Sequence, residues 1–299
     1  MKKIITFTNS QADWGLLEPI ISKLRSYINL DIVVFDELMG EYSKKIEAQY
    51  KNSTCIRVVH TQVVKSSLNK LFATSARALA WLPFENYDAA IILGDRVEML
   101  SAATICAINK WPIHHLFAGD VSGCIDDKIR DMITMICSHA YVISRSATYR
   151  CHSLLKDINM FKIHECKMDW MINTVYSDHF LNVPYILARL HPETLINESV
   201  EDMVLHIIKK AQDMRCKILV QSPNKDDGWE KIENAWLEAA KICDIVFVPS
   251  LPRPQYLGLL YQAKLAIGNS SSFILDAPSI GQTKVEILGH RQHGRMAPD

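Results

Sequence analysis

The sequence predicts an α/β protein made of two Rossmann-like, doubly wound parallel-sheet domains. Three observations predict it. Short apolar, β-branched runs alternate with segments whose apolar residues recur at helical spacing. Polar loops follow the strands and open the helices, at the end of the sheet where such folds take their ligands. At 299 residues the chain is long enough for two cores of ordinary size.

In chain order, the strand expectations of the first half are Ile4–Thr8, Asp31–Phe35, Cys55–Val59, Ala89–Leu93, Ile113–Leu116 and Tyr141–Ile143. Each is a short run of three to five mostly apolar residues, as a strand buried on both faces requires. Helical spacing fills Leu16–Tyr27, Val64–Ala80, Val97–Ile108 and Ile125–Cys137. From about Lys156 to Pro184 the rhythm breaks into clustered Asn, Asp, His and Met, which puts a domain boundary near Thr174–Pro184. The expected domains are 1–174 and 184–299. The second resumes with strands at Tyr185–Leu190, Lys217–Gln221, Ile245–Pro249, Ala263–Ile267 and Lys284–Leu288, and helices at Val200–Asp213, Trp229–Ile242 and Pro254–Gln262.

Composition excludes several classes of function. Lys plus Arg equals Asp plus Glu at 33 each, so no global field draws in nucleic acid or an anionic membrane, and any anion site is local. Hydrophobic residues make up 48%, yet no run approaches the roughly 18 apolar residues that span a bilayer. The apolar stretch after Met1-Lys2-Lys3 is too short for a signal peptide. The eight cysteines form no C-x-x-C pair and fall mostly inside strand-like or helical runs, so neither structural disulfides nor a zinc site is expected. These features point to a cytoplasmic protein. Neither a Walker P-loop nor a G-x-G-x-x-G occurs, which removes support for ATP and for nicotinamide dinucleotides. No cofactor and no metal are expected.

The loops carry the chemistry. Gly268-Asn269-Ser270-Ser271-Ser272 follows an apolar strand and leads toward a helix, where free amides, hydroxyls and the helix dipole favour an anion. Arg291 and Arg295 follow within about twenty-five residues and can neutralise a second phosphate, so the ligand reads as a diphosphate. Gly94-Asp95-Arg96 opens a helix: Asp95 caps that helix or serves a ligand, and Arg96 meets an anion or lies on the surface. Phe117 to Asp127 places Asp120, Asp126 and Asp127 within eight residues, enough to supply an acid and a base. The alternative is that Asp126 caps the next helix and Asp127 complements its dipole. His191 ends the first strand of the second domain and can donate to a phosphate; a lone loop histidine is also often incidental.

These loops, in this order, resemble the UDP-N-acetylglucosamine 2-epimerase family, in particular its hydrolysing branch that forms N-acetylmannosamine for sialic-acid-type sugars. The resemblance is carried by Ala12-Asp13 with Leu16-Leu17, Gly94-Asp95-Arg96, Val121-Ser122-Gly123 with Ile125-Asp126-Asp127, Arg130, His139, His191-Pro192, Pro223-Asn224 with Asp226 and Gly228, Gly268–Ser272, and Arg291-Gln292-His293-Gly294-Arg295. It implies a GT-B-type fold with the two domains facing a cleft. It also implies loss of UDP across C1–C2 to a glycal-like intermediate, then addition of water with inversion at C2. By the same likeness Asp95, Asp120, Asp126 and His191 are catalytic. Asp13, Arg96, Ser122, Asn224, Asn269, Ser270, Ser271, Ser272, Asp276, Arg291 and Arg295 bind the UDP-sugar, with Asp276 on the ribose. The implied partners are the UDP-sugar, the product UDP, and further copies of the chain in a homodimer or homotetramer.

The chain also departs from the family pattern. Gln11 stands in place of an arginine and Phe117 in place of a catalytic acid, while Asp120 and Asp276 are each one methylene shorter than the family's glutamates. The chain stops at Asp299, where the family continues, so the second domain is expected to be shortened. Two further readings follow: a degenerate UDP-sugar-binding relative or partner subunit, motivated by Gln11 and Phe117, and a GT-B glycosyltransferase sharing fold and donor.

Overall fold

The structure is a computed structural model that describes all residues except 37–40, 65–66, 82–85, 157–160, 167–182, 197, 224–227, 283 and 299. The chain forms two compact units. Unit 1 comprises Met1–Asp120 and Asp126–Lys167; unit 2 comprises Val121–Ile125 and Met168–Pro298. The expected break near Thr174–Pro184 falls mostly outside the described residues.

Among the described residues, unit 1 contains seven strands: β1 (Lys2–Thr8), β2 (Ile28–Asp36), β3 (Ile56–Gln62), β4 (Ala89–Leu93), β5 (Ile113–Leu116), β6 (His139–Val142) and β7 (Lys162–Glu165). They form one parallel sheet in the order β3-β2-β1-β4-β5-β6-β7. Its helices are α1 (Gln11–Leu24), α2 (Glu41–Tyr50), α3 (Leu68–Ala80), α4 (Val97–Ile108), α5 (Asp126–Ile136) and α6 (Arg145–Leu155). Ile5, Phe7, Val33, Phe35 and Ile92 pack with Leu79, Met99, Ala103, Ile133 and Cys151 into one core. α1, α3 and α6 begin where serines supply the first-turn acceptor. The amides of Asp13, Lys70 and Ala147 donate to the hydroxyls of Ser10, Ser67 and Ser144 at 3.1, 3.3 and 3.2 Å. These caps set the starts of α1 five residues earlier, and of α3 four residues later, than apolar spacing alone predicts.

Unit 2 contains β8 (Tyr185–Arg189), α7 (Val200–Met214), β9 (Lys217–Gln221), α8 (Trp229–Ala239), β10 (Ile245–Val248), α9 (Arg253–Gln262), β11 (Leu265–Gly268), α10 (Ser272–Leu275) and β12 (Val285–Ile287). The sheet is parallel, in the order β10-β9-β8-β11-β12. Ile186, Ala188 and Ile267 bury one face with Ile207 and Trp236. Tyr185, Leu187 and Ala266 bury the other with Leu257, Leu260 and Phe273. Period-two alternation thus places an apolar residue on both faces, which is why these strands read as unbroken apolar runs.

Four elements depart from expectation. α2 and α6 carry sparse apolar residues, and β7 is an edge strand of sequence KIHE inside the stretch read as a rhythm break. The helix expected after Gly268–Ser272 is a single turn, α10, followed by a 3-10 turn at Pro278–Ile280. Pro278 lacks the N–H that would extend the helical ladder. No helix among the described residues is long and apolar enough to cross a membrane.

Candidate functional site

In each sheet the chain leaves in opposite directions from two adjacent strands, and a crevice forms at their carboxyl ends. In unit 1 these strands are β1 and β4. Asp95, in the loop after β4, is ion-paired with the guanidinium of Arg130 from α5. Arg130 is 1% exposed, and its Nη1 also donates to the Asp120 carbonyl and to Asp127 Oδ1, each at 2.7 Å. One buried cation therefore gathers Asp95, Asp120 and Asp127 from three segments. A buried guanidinium persists only with such a set of acceptors. Asp95 is not the helix cap: Arg96 holds the N-cap position of α4, with no side-chain cap bond. Asp126 is not a preceding cap either, since it is the first residue of α5.

Arg96 Nε donates to Glu98 Oε1 at 3.2 Å, and Glu98 is fully buried in the first turn of α4. His115 points the opposite way from its neighbour His114. Its ring meets Thr134 Oγ1 at 3.1 Å and the Gly94 carbonyl at 2.7 Å, and burial pushes its pKa down to about 4. At β1, the Tyr42 hydroxyl donates to the Ser10 carbonyl at 2.7 Å. It therefore accepts from Thr8 Oγ1 at 2.8 Å, because a phenol has one hydrogen to give. Asp13 lies beside it in the first turn of α1.

In unit 2 the diverging strands are β8 and β11. Gly268 ends β11 at φ +139, and a Cβ there would overlap the Arg189 carbonyl oxygen, so the close approach of the two strand ends requires glycine. Asn269, wholly buried, binds across this gap. Its Oδ1 accepts from the His191 amide at 2.6 Å, and its Nδ2 donates to the His191 carbonyl at 2.9 Å and to Glu193 Oε1 at 3.2 Å. Glu193 Oε1 also accepts from the Arg291 amide at 3.0 Å. Arg291 Nη1 donates to the Pro192 carbonyl at 2.9 Å, and Arg295 Nη1 to Gln292 Oε1 at 2.6 Å. Gln292 adopts a left-handed backbone (φ +75). Its amide donates to the Ser122 carbonyl at 2.6 Å and its Nε2 to the Asn269 carbonyl at 3.0 Å.

The turn itself places Ser270, Ser271 and Ser272 in succession. The amides that follow them are spent on local bonds: Phe273 donates to the Ser270 carbonyl, and Ile274 to the Ser271 carbonyl. With α10 only one turn long, the anion-favouring element is this set of serine groups rather than a helix macrodipole. Asp276, expected at a ribose, accepts from Arg253 Nη2 at 2.7 Å and is largely buried with it.

Of the residues singled out in the sequence, Asp95 and Asp120 converge on Arg130, with Asp126 one residue from the Asp127 that joins them. Ser122, His191, Asn269, Ser270, Ser271, Ser272, Asp276, Arg291 and Arg295 lie in unit 2, around the ends of β8, β11 and β12. Asp120 and Ser122, two residues apart in sequence, belong to different units. Asn224 lies outside the described residues. Arg130 as a hub, Arg253, Glu193 and Gln292 were missed as site residues. Arg130 has a signal in its spacing of three from Asp127 on one helix, and Gln292 in its place within the Arg291–Arg295 segment.

Known proteins share this chain's sequence pattern and fold. A 25% identical relative, the UDP-N,N'-diacetylbacillosamine 2-epimerase (hydrolyzing) of Legionella pneumophila, aligns with all of this chain and 84% of its own length. A UDP-N-acetylglucosamine 2-epimerase of Neisseria meningitidis is 26% identical over 99% of this chain and 81% of its own length. Among solved structures, an S. aureus MnaA–UDP co-structure superposes with a TM-score of 0.78 at 16% identity, covering 98% of this chain and 81% of the other. UDP-GlcNAc 2-epimerase from Neisseria meningitidis bound to UDP-GlcNAc gives 0.77 at 14%, covering 96% and 82%. The family model for UDP-N-acetylglucosamine 2-epimerase matches residues 29–298. With that match over most of its length, the chain belongs to the UDP-N-acetylglucosamine 2-epimerase family.

Proposed function

We propose that the protein is a hydrolysing 2-epimerase that converts UDP-N-acetylglucosamine, or a modified UDP-2-acetamido sugar, and water to the C2-inverted free sugar and UDP. The observation that carries this reading is the Asp95–Arg130–Asp127 cluster at the carboxyl end of β4, in a chain of this family. Elimination needs a carboxylate to take the C2 proton while the C1–O bond breaks and its electron pair leaves with UDP. Asp95 offers such a carboxylate, ion-paired with Arg130. Asp95, Asp120 and Asp126 are the residues assigned to proton transfer. Water then returns a proton to the opposite face of C2 and a hydroxyl to C1, so that atoms balance between UDP-sugar plus water and sugar plus UDP.

Departing UDP gains negative charge, which suits His191, Arg291 and Arg295 and the hydroxyls and amides of Ser270, Ser271 and Ser272. Asp13, Arg96, Ser122, Asn224 and Asp276 are assigned to substrate contact, and Asn269 to holding His191 for it. The diacetylbacillosamine-type relative supports keeping a modified sugar within the substrate class. The assigned state is a homodimer or homotetramer in the cytoplasm. Purified protein incubated with UDP-N-acetylglucosamine should release UDP and N-acetylmannosamine in step; unchanged substrate after long incubation, with UDP shown to bind, overturns the reading.

Phe117 favours a second reading, a UDP-sugar-binding relative without turnover. It is buried, sits at φ +62 directly after β5, and brings no ionisable group to a position where the family resemblance implies an acid. Activity appearing only in a Phe117→Glu, Gln11→Arg variant would select this reading over the first.

A further inference from the structure

Three buried hydroxyls form a chain inside unit 2. The Tyr256 hydroxyl is hydrogen-bonded to Ser272 Oγ, and Ser272 Oγ lies 2.9 Å from Ser270 Oγ. At the Tyr256 end, the Arg189 guanidinium lies 5.4 Å from the ring centroid and hydrogen-bonds the tyrosine side chain. These contacts join the end of β8, the middle of α9 and the turn after β11.

The donor inventory allows the chain to run in either direction. A guanidinium only donates, so the Tyr256 oxygen accepts from Arg189, and in the first direction its single hydrogen goes to Ser272. Ser272 accepts there and passes its own hydrogen to Ser270. The Ser270 oxygen accepts in turn, which turns its hydrogen away from the relay. In the reverse direction the Tyr256 oxygen accepts from both Arg189 and Ser272 and the unmatched hydrogen is the tyrosine's, so an accepting oxygen placed at Ser270 selects the first direction. Ser270 is 2% exposed, and its hydroxyl has no second partner among the described residues. A buried donor without an acceptor is unfavourable, and donors polarised in series bind an anionic oxygen more strongly.

We propose that Arg189, Tyr256 and Ser272 are positioning residues that present the Ser270 hydroxyl as a hydrogen-bond donor to a phosphoryl oxygen of the ligand's diphosphate. The proposal rests on the UDP-binding reading above and goes beyond it by naming the residues that orient Ser270. A phosphoryl oxygen, which only accepts, is the complement.

The test is titration calorimetry with UDP, and NMR titration with uridine, on the full chain. Ser270→Ala should weaken UDP about 10- to 100-fold, the range for a lost charge-assisted hydrogen bond. Tyr256→Phe, which keeps the buried ring, and Ser272→Ala should each weaken it about 3- to 10-fold, while Ser272→Thr, which keeps the hydroxyl, retains near wild-type affinity. The Ser270→Ala, Tyr256→Phe double variant should bind no more weakly than Ser270→Ala alone, and uridine affinity should change less than twofold throughout. Equal losses for UDP and uridine, additive effects in the double variant, or a Tyr256→Phe protein that binds UDP normally overturns the relay while leaving UDP binding intact. Wild-type protein that binds no UDP overturns the relay's assigned acceptor and the parent reading together.

Discussion

Replacing Asn269 with alanine is the most quantitative test of how unit 2 is assembled. The side chain is wholly buried and makes three hydrogen bonds, two to the backbone of His191 and one to Glu193. A neutral buried hydrogen bond contributes about 0.5–1.5 kcal/mol net, and a stranded buried polar group costs about 1–3 kcal/mol. Alanine strands the His191 amide and carbonyl and removes one donor from Glu193, which leaves it the Arg291 amide. Summed conservatively, the loss is roughly 2–4 kcal/mol, a large share of the ~5–15 kcal/mol that stabilises a typical domain. Urea unfolding with a slope of about 2 kcal/mol per molar should show the midpoint falling by about 1–2 M. Asn269→Asp should be at least as damaging, because it keeps the acceptor for the His191 amide but turns a carboxylate oxygen toward the His191 carbonyl and Glu193. A loss below about 1 kcal/mol for Asn269→Ala would refute the claim that this side chain closes the β8–β11 gap.

Two other outcomes follow from the same geometry. Arg130→Ala leaves the Asp95 and Asp127 carboxylates without their shared cation and should destabilise the protein by about 3–5 kcal/mol in chemical denaturation. Arg130→Lys should recover only part of this, because an ammonium cannot bridge two acceptors as the planar fork does. His115 has a folded pKa near 4, below its ordinary 6.5, so the unfolded chain takes up the proton first as pH falls. Its contribution to stability is complete above pH 6.5 and is lost on descending toward pH 4, at up to about 1.4 kcal/mol per pH unit. Urea midpoints at pH 7.5 and 5 should therefore diverge less in His115→Gln than in the wild type, and an unchanged difference would contradict the assignment.

Much of the architecture was legible because parallel strands buried on both faces must be apolar throughout. Ile32–Phe35 and Tyr185–Ala188 announce themselves in this way, and the polar turns after β4 and β11 fall where the sequence places strand-to-helix loops. What was not legible depends on partners distant in sequence. Nothing local to Asp95 names Arg130, 35 residues on, so the sequence alone leaves capping and function level. Asn269 read as a ligand contact, yet its side chain spans to His191, 78 residues earlier. α2 and β7 escaped notice because one is mostly polar and the other is an edge strand that need not be apolar on both faces. The shortness of α10 did leave a signal, since Pro278 lies only six residues beyond its first residue and cannot join an α-helical ladder.

The central claim is that this chain removes and replaces the C2 proton of a UDP-2-acetamido sugar. The most direct measurement is proton NMR of UDP-sugars incubated with the protein in D2O, with UDP-N-acetylglucosamine first and related UDP-2-acetamido sugars after it. The account predicts deuterium at C2 of the released sugar in step with free UDP, and loss of both in Asp95→Asn. UDP that binds while every UDP-sugar keeps its C2 proton and its glycosidic bond would contradict it.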